Sequence, residues 1–407
     1  MMVVERPSVF GLPRVCRMLC VGVAVSFALA SLVPASGCGP ASDDDDSGDD
    51  DSGDDDDLAG DDDSASDDDD SAGDDDDSAG DDDDSAGDDD DSGDDDDSGA
   101  PGPCLGDFTI DATDTPADLL SLAGCTSVSG DLNIVDTPVD SLASLSSVTS
   151  VGGDLLIADT TTLVGLEGLE GLASVGGSLE VRDNSALTGL GALAGLVTLG
   201  GGAYVYNNPR LADLDGLALL DAIAGDVVVH HNPQLESLGG LASVTVVDAD
   251  LRIYDNYGLL HLDGLAAITE VGGDLNVAWN TVLADIDGLS QVVSVGVDLD
   301  VARNPALTHI DGLSSLTYVG GDLHVHDNSG LLHLDGFGSL VEVASDLVIA
   351  DNDALVGLDG LLSLVSVGHD FDITNNQSLC QSYAEGIAAQ IDVSGFVEIS
   401  DNEGACP

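Results

Sequence analysis

Apolar and polar positions recur along most of the chain in a unit that returns every 24 residues. The segment 274–280 reads Asp-Leu-Asn-Val-Ala-Trp-Asn, and the segment 298–304 reads Asp-Leu-Asp-Val-Ala-Arg-Asn. Such a period indicates stacked units, because one unit alone cannot bury its own apolar face. The leading position of the unit occurs thirteen times, at Asp107, Asp131, Asp154, Ser178, Gly202, Asp226, Asp250, Asp274, Asp298, Asp322, Asp346, Asp370 and, two residues late, Phe396.

Each unit predicts one short strand followed by tight bends. The Leu-x-Val pair, as in Leu275 and Val277, alternates with period two, so both side chains should point inward from a strand. The Asn at the end of the motif recurs in ten units from Asn184 to Asn402, and stacked amides should satisfy buried backbone groups there. Later apolar residues are spaced by three, which favours tight bends over a long helix. The sequence therefore predicts a mostly β fold, a right-handed parallel β-solenoid of about thirteen 24-residue turns.

The motif Leu-x-Val-x-x-Asn-x-x-Leu resembles the strand and bend of leucine-rich repeats. The 24-residue turn containing Val-Gly-Gly-Asp-Leu is similar to the receptor L-domain, and the resemblance covers about 107–402. It implies a scaffold for ligand binding or adhesion rather than catalysis, and it offers no invariant functional residue to transfer. Receptors use two shorter domains joined by a Cys-rich module, whereas this chain has one long array, so receptor signalling is not implied.

The front of the chain predicts export and lipid anchoring. Residues 1–37 combine three arginines, an apolar run and small residues before Cys38, which is typical of a lipoprotein signal peptide. Cys38 is the predicted lipidation site; an ordinary cleavage site with an incidental Cys, or a retained anchor, are the alternatives. Residues 38–103 hold the acidic segment, rich in Asp, Ser and Gly, which predicts a disordered tether before the solenoid at 104–407.

Charge and cysteine positions narrow the function further. Of 79 acidic residues, Glu5 and 34 tether aspartates precede Cys104, so 44 remain in 104–407 against four arginines. A net charge near −40 argues against nucleic acid or an anionic membrane surface as partner. Four cysteines lie at the two ends of the array, and export favours the disulfides Cys104–Cys125 and Cys380–Cys406.

Stacking aligns acidic side chains into columns. One column, each member followed by Gly, includes Asp263, Asp287, Asp311 and Asp335 as candidate calcium ligands. The alternative is an Asp-Gly turn closed by its own side chain. A second column holds His261, Asp285, His309 and His333, where exposed polar residues are the alternative to a transition-metal site. We expect no cofactor; calcium is the one alternative.

Aromatic and basic residues concentrate in the strand segments of the middle turns. The chain has one Trp and six Tyr, so the clustering is informative. Exposed aromatics with Arg favour a recognition surface, whereas aromatics that simply stabilise a sheet surface are the alternative. The candidate ligand-binding residues are Tyr204, Tyr206, His230, Arg252, Tyr254, Trp279 and Arg303.

The sequence contains no signature of an enzyme. No nucleophile elbow, HExxH, P-loop or CxxC motif occurs, and lysine is absent. We expect a lipid-anchored protein of the bacterial cell envelope, at the outer membrane or cell surface, that binds an extracellular protein or glycan. The alternative is a structural envelope protein without a specific ligand, stabilised by calcium.

Overall fold

The computed structural model describes residues 102–115 and 118–406. The predicted signal peptide, the lipidation site Cys38 and the acidic segment up to residue 101 lie outside these residues. The first strand of the solenoid begins at Gly102, two residues before the predicted boundary at 104.

One long parallel sheet contains a strand from every unit. Its thirteen strands, all even-numbered in chain order, pair with their neighbours in the next units. They are β2 Phe108–Ile110, β4 Leu132–Val135, β6 Leu155–Ala158, β8 Leu179–Arg182, β10 Ala203–Tyr206, β12 Val227–His230, β14 Leu251–Tyr254, β16 Leu275–Ala278, β18 Leu299–Ala302, β20 Leu323–His326, β22 Leu347–Ala350, β24 Phe371–Thr374 and β26 Val397–Ser400. The predicted count and parallel order of turns are confirmed.

Shorter strands form a second face of the turns, in two parallel sheets. The five-stranded sheet comprises β1 Gly102–Cys104, β3 Cys125–Val128, β5 Ser150–Val151, β7 Ser174–Val175 and β9 Thr198–Leu199. The eight-stranded sheet comprises β11 Ala222–Ile223, β13 Val246–Val247, β15 Glu270–Val271, β17 Ser294–Val295, β19 Tyr318–Val319, β21 Glu342–Val343, β23 Ser366–Val367 and β25 Asp392–Val393.

The third side of most turns is a short 3₁₀ helix, in keeping with the predicted tight bends. These helices span Asp118–Leu122, Ala143–Leu145, Gly191–Leu193, Asp215–Leu217, Gly239–Leu241, Asp263–Leu265, Asp287–Leu289, Asp311–Leu313, Asp335–Phe337 and Asp359–Ser363. In the part of the chain that the structure describes, one α-helix occurs, α1 Gln381–Ala388, near the C-terminal end. No described helix is both long and apolar enough to cross a membrane.

The core is a stack of similar layers, one from each turn. Leu275 and Val277 pair in register with Leu299 and Val301 of the next turn, and all four are fully buried. The three-residue-spaced positions, such as Leu283, are equally buried. Each buried Leu or Val contributes about 1.5–3 kcal/mol of transfer free energy. A one-residue slip would turn the strand's apolar side chains outward, so the 24-residue period fixes the register.

The glycine after the candidate calcium-binding Asp is required by packing. A Cβ on Gly288 would lie 1.8 Å from the carbonyl oxygen of Leu262 in the preceding turn. Equivalent contacts of 1.7–2.0 Å occur at Gly240, Gly264, Gly312 and Gly336. At these five turns the 3₁₀ helices therefore stack too closely for a side chain at this position, whereas the helices Ala143–Leu145 and Gly191–Leu193 carry Ser144 and Ala192 there.

Ten buried asparagines form the predicted internal ladder, with a consistent direction. The side chain of Asn280 accepts a hydrogen bond from the backbone N–H of Asn256 at 3.0 Å and donates to the carbonyl of Ile253 at 2.9 Å. Both partners belong to the preceding turn, and the other nine amides make the same kind of backbone contacts. The expectation is that each amide satisfies backbone groups at the bend and its neighbours above and below. The structure directs the bonds to the neighbouring backbone toward the turn before, and four amides, those of Asn184, Asn208, Asn232 and Asn376, also donate to the amide oxygen of the next Asn.

A second ladder of carboxylates runs in the opposite direction. Asp250 Oδ1 accepts the backbone N–H of Asp274 at 2.7 Å, and Asp298 Oδ1 accepts that of Asp322 at 2.8 Å. Each strand-opening Asp thus accepts a hydrogen bond from the backbone of the turn that follows it. This hydrogen bond gives these like-charged carboxylates a structural role in the sheet edge.

Both ends of the array carry the predicted disulfides. Cys104 is bonded to Cys125, with a Cα–Cα distance of 5.5 Å, and Cys380 is bonded to Cys406, with a Cα–Cα distance of 4.8 Å. Cys125 opens β3 and Cys380 precedes α1, so each bond joins two successive turns at an end of the stack.

We predict that Asn280→Ala destabilises the solenoid far more than substitution of its exposed neighbour Thr281. Without the amide, the N–H of Asn256 and the carbonyl of Ile253 lose their buried partner, which should lower the free energy of unfolding by roughly 2–4 kcal/mol. Thr281→Ala should change it by less than about 0.5 kcal/mol. Urea denaturation of both variants measures the difference; equal effects would contradict a structural ladder.

Candidate functional site

The outward face of the long sheet carries five of the seven candidate ligand-binding residues. Tyr204, Tyr206, His230, Arg252 and Tyr254 alternate with buried residues along β10, β12 and β14, so their side chains project from the same face. We define the aromatic surface as these five residues together with His231, Trp279 and Arg303. It spans five consecutive turns.

Three rings of the aromatic surface stack across successive strands. The Tyr206 and His230 ring centroids are 4.8 Å apart with an interplanar angle of 5°, and those of His230 and Tyr254 are 4.4 Å apart at 7°. His231 meets His230 edge-on, with their Nδ1 atoms 2.7 Å apart. Both faces of the His230 ring are covered by these two stacks, so a partner meets the edges of the rings and not the faces of His230.

Trp279 and Arg303 lie one position beyond the strands, which corrects the expectation that they occupy outward strand positions. β16 ends at Ala278 and β18 ends at Ala302. Both residues occupy the bend before the buried Asn, with φ of 60° and 56°. The Arg303 guanidinium carbon lies 4.7 Å from the Trp279 ring centroid, a cation–π contact, and Trp279 remains 46 % exposed.

The left-handed bend normally carries a residue suited to it. Twelve described turns have a non-glycine residue with φ between 48° and 60° there, and nine of these residues are Asp or Asn. Asp and Asn tolerate this conformation, whereas it costs other residues about 1–2 kcal/mol. The three departures are His231, Trp279 and Arg303, all within the aromatic surface.

A further departure from the repeat lies beneath Tyr204. Gly202 stands where most turns carry the strand-opening Asp. A Cβ on Gly202 would lie 2.7 Å from a carbon of the Tyr204 ring. The Tyr204 hydroxyl donates to Asp226 Oδ2 at 3.1 Å, so the ring crosses the position that a side chain would fill.

The cationic members of the aromatic surface are paired with carboxylates. Arg252 Nη2 lies 2.6 Å from Asp250 Oδ2 and 3.0 Å from Asp274 Oδ2. Arg303 Nε lies 3.3 Å from Asp327 Oδ2. The surface therefore presents guanidinium groups whose charge is already balanced, and it does not form a basic patch.

Beside this surface the structure adds groups that the sequence did not single out. Asn276 donates to Asp300 Oδ2 at 2.9 Å, and His326 Nε2 lies 3.5 Å from Asp300 Oδ1. Asp300 Oδ1 is buried with no hydrogen-bond partner among the described residues. At the opposite edge, next to Tyr204 and Glu180, lies a hollow of about 220 Å³. The alternation along each strand predicts that Asn276, Asp300 and His326 face outward. Their contacts depend on which strands lie side by side, which the alternation does not give.

Burial shifts the protonation of the aromatic surface. Desolvation, followed by the charge of His231, lowers the pKa of His230 to about 4, so this ring is neutral at pH 7. Burial and then the hydrogen bond to Glu180 raise the pKa of the Tyr206 hydroxyl. Burial also raises the pKa of Asp300, partly opposed by His326. For Arg252, burial alone would lower the pKa, but Asp274 and Asp250 outweigh it and raise the pKa.

We predict that acidification lowers the folding stability of the wild-type protein more than that of a His230→Phe variant. The folded-state pKa of His230, about 4, lies below the ordinary value of 6.5, so the unfolded chain binds more protons between these values. The stability contributed by neutral His230 is complete above pH 6.5 and declines as the pH falls toward 4. Melting temperatures at pH 7 and pH 5 check this; a constant difference between the two proteins would contradict it.

The candidate calcium and histidine columns align as predicted but do not form a cluster of three ligands. Asp263, Asp287, Asp311 and Asp335 each open a 3₁₀ helix. In the second column, His261 Nδ1 lies 2.7 Å from Asp285 Oδ2, and His309 pairs with His333 in a parallel bridge. Among the described residues, three convergent ligands occur elsewhere, at Asp346, His369 and Asp370. Calcium binding by the first column stays a prediction.

Residues 124–242 match the sequence model of the Receptor L domain. With parallel strands stacked in 24-residue turns, the match identifies a receptor L-domain-like solenoid of the leucine-rich-repeat type. Folds of this type are generally non-catalytic binding scaffolds. Among solved structures, a leucine-rich-repeat protein of Leptospira interrogans is similar at 12 % identity, with 71 % of this chain and 89 % of that chain covered. Its TM-score is 0.26, too low to inform function. No curated protein matches the chain.

Proposed function

We propose that the protein is a cell-surface lipoprotein whose solenoid binds an extracellular protein or glycan through the aromatic surface. The receptor L-domain-like fold supports a ligand-binding role in general. The choice of surface rests on the local chemistry of the middle turns. No reaction is assigned to the protein.

This proposal rests on one observation: the residues of the aromatic surface depart from the consensus sequence of the repeat. Gly202 replaces the strand-opening Asp beneath Tyr204, and Trp279 and Arg303 occupy bends that otherwise favour Asp or Asn. Each change costs stability or removes a ladder hydrogen bond. Departures from the local rules of a fold are expected at functional sites.

The shape and charge of the surface favour a macromolecular ligand. Small-molecule sites enclose roughly 300–1,000 Å³, whereas the hollow beside Tyr204 measures about 220 Å³. A broad face of ring edges, hydroxyls and balanced Arg–Asp pairs suits a flat contact with a protein or a sugar chain. Tyr, Trp and Arg are the residues that most often dominate binding energy at such contacts.

We predict that glycan or peptide arrays probed with the full chain give hits that a Tyr204/Tyr254/Trp279→Ala variant loses. Truncating such anchors typically costs at least about 2 kcal/mol each, so affinity should fall by well over tenfold. A Tyr318→Ala variant is the control, because this side chain is exposed and lies outside the aromatic surface, on β19. Circular dichroism verifies that both variants remain folded.

The array result separates the proposals. Hits that persist in the triple variant would place the binding site elsewhere on the solenoid. An array without hits for the unmodified protein would contradict glycan and peptide binding and favour the structural envelope role. In that role, calcium should raise the melting temperature above the value in EDTA, through the column of Asp263, Asp287, Asp311 and Asp335.

The lipid anchor is tested independently of ligand binding. Cys38 lies outside the described residues, and its role rests on the signal-peptide pattern in the sequence. We predict that the protein partitions with bacterial membranes and that Cys38→Ser releases it, because several acyl chains together are needed for stable anchoring. Membrane fractionation with mass spectrometry of the mature N-terminus measures this. Equal partitioning of the two proteins would contradict lipidation.

A further inference from the structure

A histidine interrupts one corner of the repeat near its C-terminal end. The residue before the strand-opening position is Gly in most turns, as at Gly177, Gly273 and Gly321. A Cβ at these glycines would lie 2.0–2.1 Å from Oδ1 of the strand-opening Asp in the preceding turn. In the turn that leads into β24 the residue is His369. A side chain at this corner must therefore share space with a carboxylate, and His369 is the one metal-ligating residue type placed there.

His369 brings together two carboxylates from successive turns. Its Nδ1 lies 2.7 Å from Asp346 Oδ1 and 3.8 Å from Asp370 Oδ2. One ligand atom from each of the three residues fits within 4.8 Å of the other two. Two ligands in a tetrahedral zinc site, each about 2.0–2.1 Å from the metal, are roughly 3.3 Å apart. The observed separations bracket that distance, so small side-chain rotations bring all three ligands into range.

The two carboxylates are held in position by the backbone. Asp346 Oδ1 accepts the N–H of Asp370 at 2.9 Å, and Asp370 Oδ1 accepts the N–H of Phe396 at 2.8 Å. These are the ladder hydrogen bonds described above, and they orient the carboxylates before any ligand arrives. A carboxylate oxygen has a second lone pair, and each group has its other oxygen, so metal binding does not require loss of the ladder.

We propose that Asp346, His369 and Asp370 bind a divalent transition metal of the Zn²⁺ class, with water in the remaining coordination positions. One imidazole nitrogen with two carboxylates is a donor set for such ions, whereas calcium prefers oxygen donors alone. The site lies on two adjacent turns at the edge of the long sheet, remote in sequence from the aromatic surface. The bound ion joins these turns and is independent of the proposed ligand.

The test is zinc titration of the full chain by competition with a chromogenic chelator in excess Mg²⁺, which occupies the carboxylate-only sites. Wild-type protein should compete for one Zn²⁺ per chain. His369→Gly restores the residue common at this corner, and Asp346→Asn keeps an oxygen for the backbone N–H of Asp370. Each should weaken zinc binding by roughly tenfold or more.

The matched control is His261→Gln, which removes an exposed histidine that also lies 2.7 Å from a carboxylate but belongs to no cluster of three ligands. Its zinc affinity should equal that of the wild type. The Co²⁺-loaded wild type should show visible absorption that His369→Gly loses. Identical titrations for wild type and His369→Gly, or loss in His261→Gln, would overturn the proposal.

Discussion

The rest of the structure depends on satisfying the backbone groups that lie buried between turns. Every turn must bend sharply before its apolar residues can face the interior, and the bend removes N–H and carbonyl groups from the sheet ladder. The amides from Asn184 to Asn402 supply the missing partners inside the core, where no turn can rely on water. Once these bonds fix the bends, the strand register, the close approach at Gly288 and the outward columns all follow from repetition.

The sequence alone was sufficient to predict the repeating scaffold, because its determinants are local and recur. The Leu-x-Val alternation specifies the strand in most copies, the Asn specifies the bend in ten of the thirteen, and the cysteine positions at the two ends specify the disulfides. The sequence was less informative about direction and contact. The one-sided bonding of Asn280 depends on the offset between neighbouring turns, and the placement of Trp279 depends on whether a strand ends one residue earlier. The spacing of residues along the chain gives neither the offset between turns nor the residue at which a strand ends.

The candidate site shows the same division between position and contact. Spacing placed Tyr206, His230 and Tyr254 on one face, but their parallel stacking and the neutral state of His230 arise from burial that only the fold defines. The sequence contained one usable signal that its periodicity obscured, which is departure from the repeat. Gly202 and His369 each replace the residue usual at their position. Gly202 lies beneath the Tyr204 ring, and His369 belongs to the proposed metal site.

The two ladders of opposite direction satisfy backbone groups on both sides of a unit. A unit with both residues contributes an amide to the turn before it and a carboxylate to the turn after it, so removing or duplicating such a unit of 24 residues within the run from Asp226 to Asn376 leaves the neighbouring junctions with both kinds of bond. The interior can therefore change in length by whole modules while the outward residues vary freely. Recombination between its repeat units can therefore change the outward surface of such a molecule while the buried core keeps the same packing.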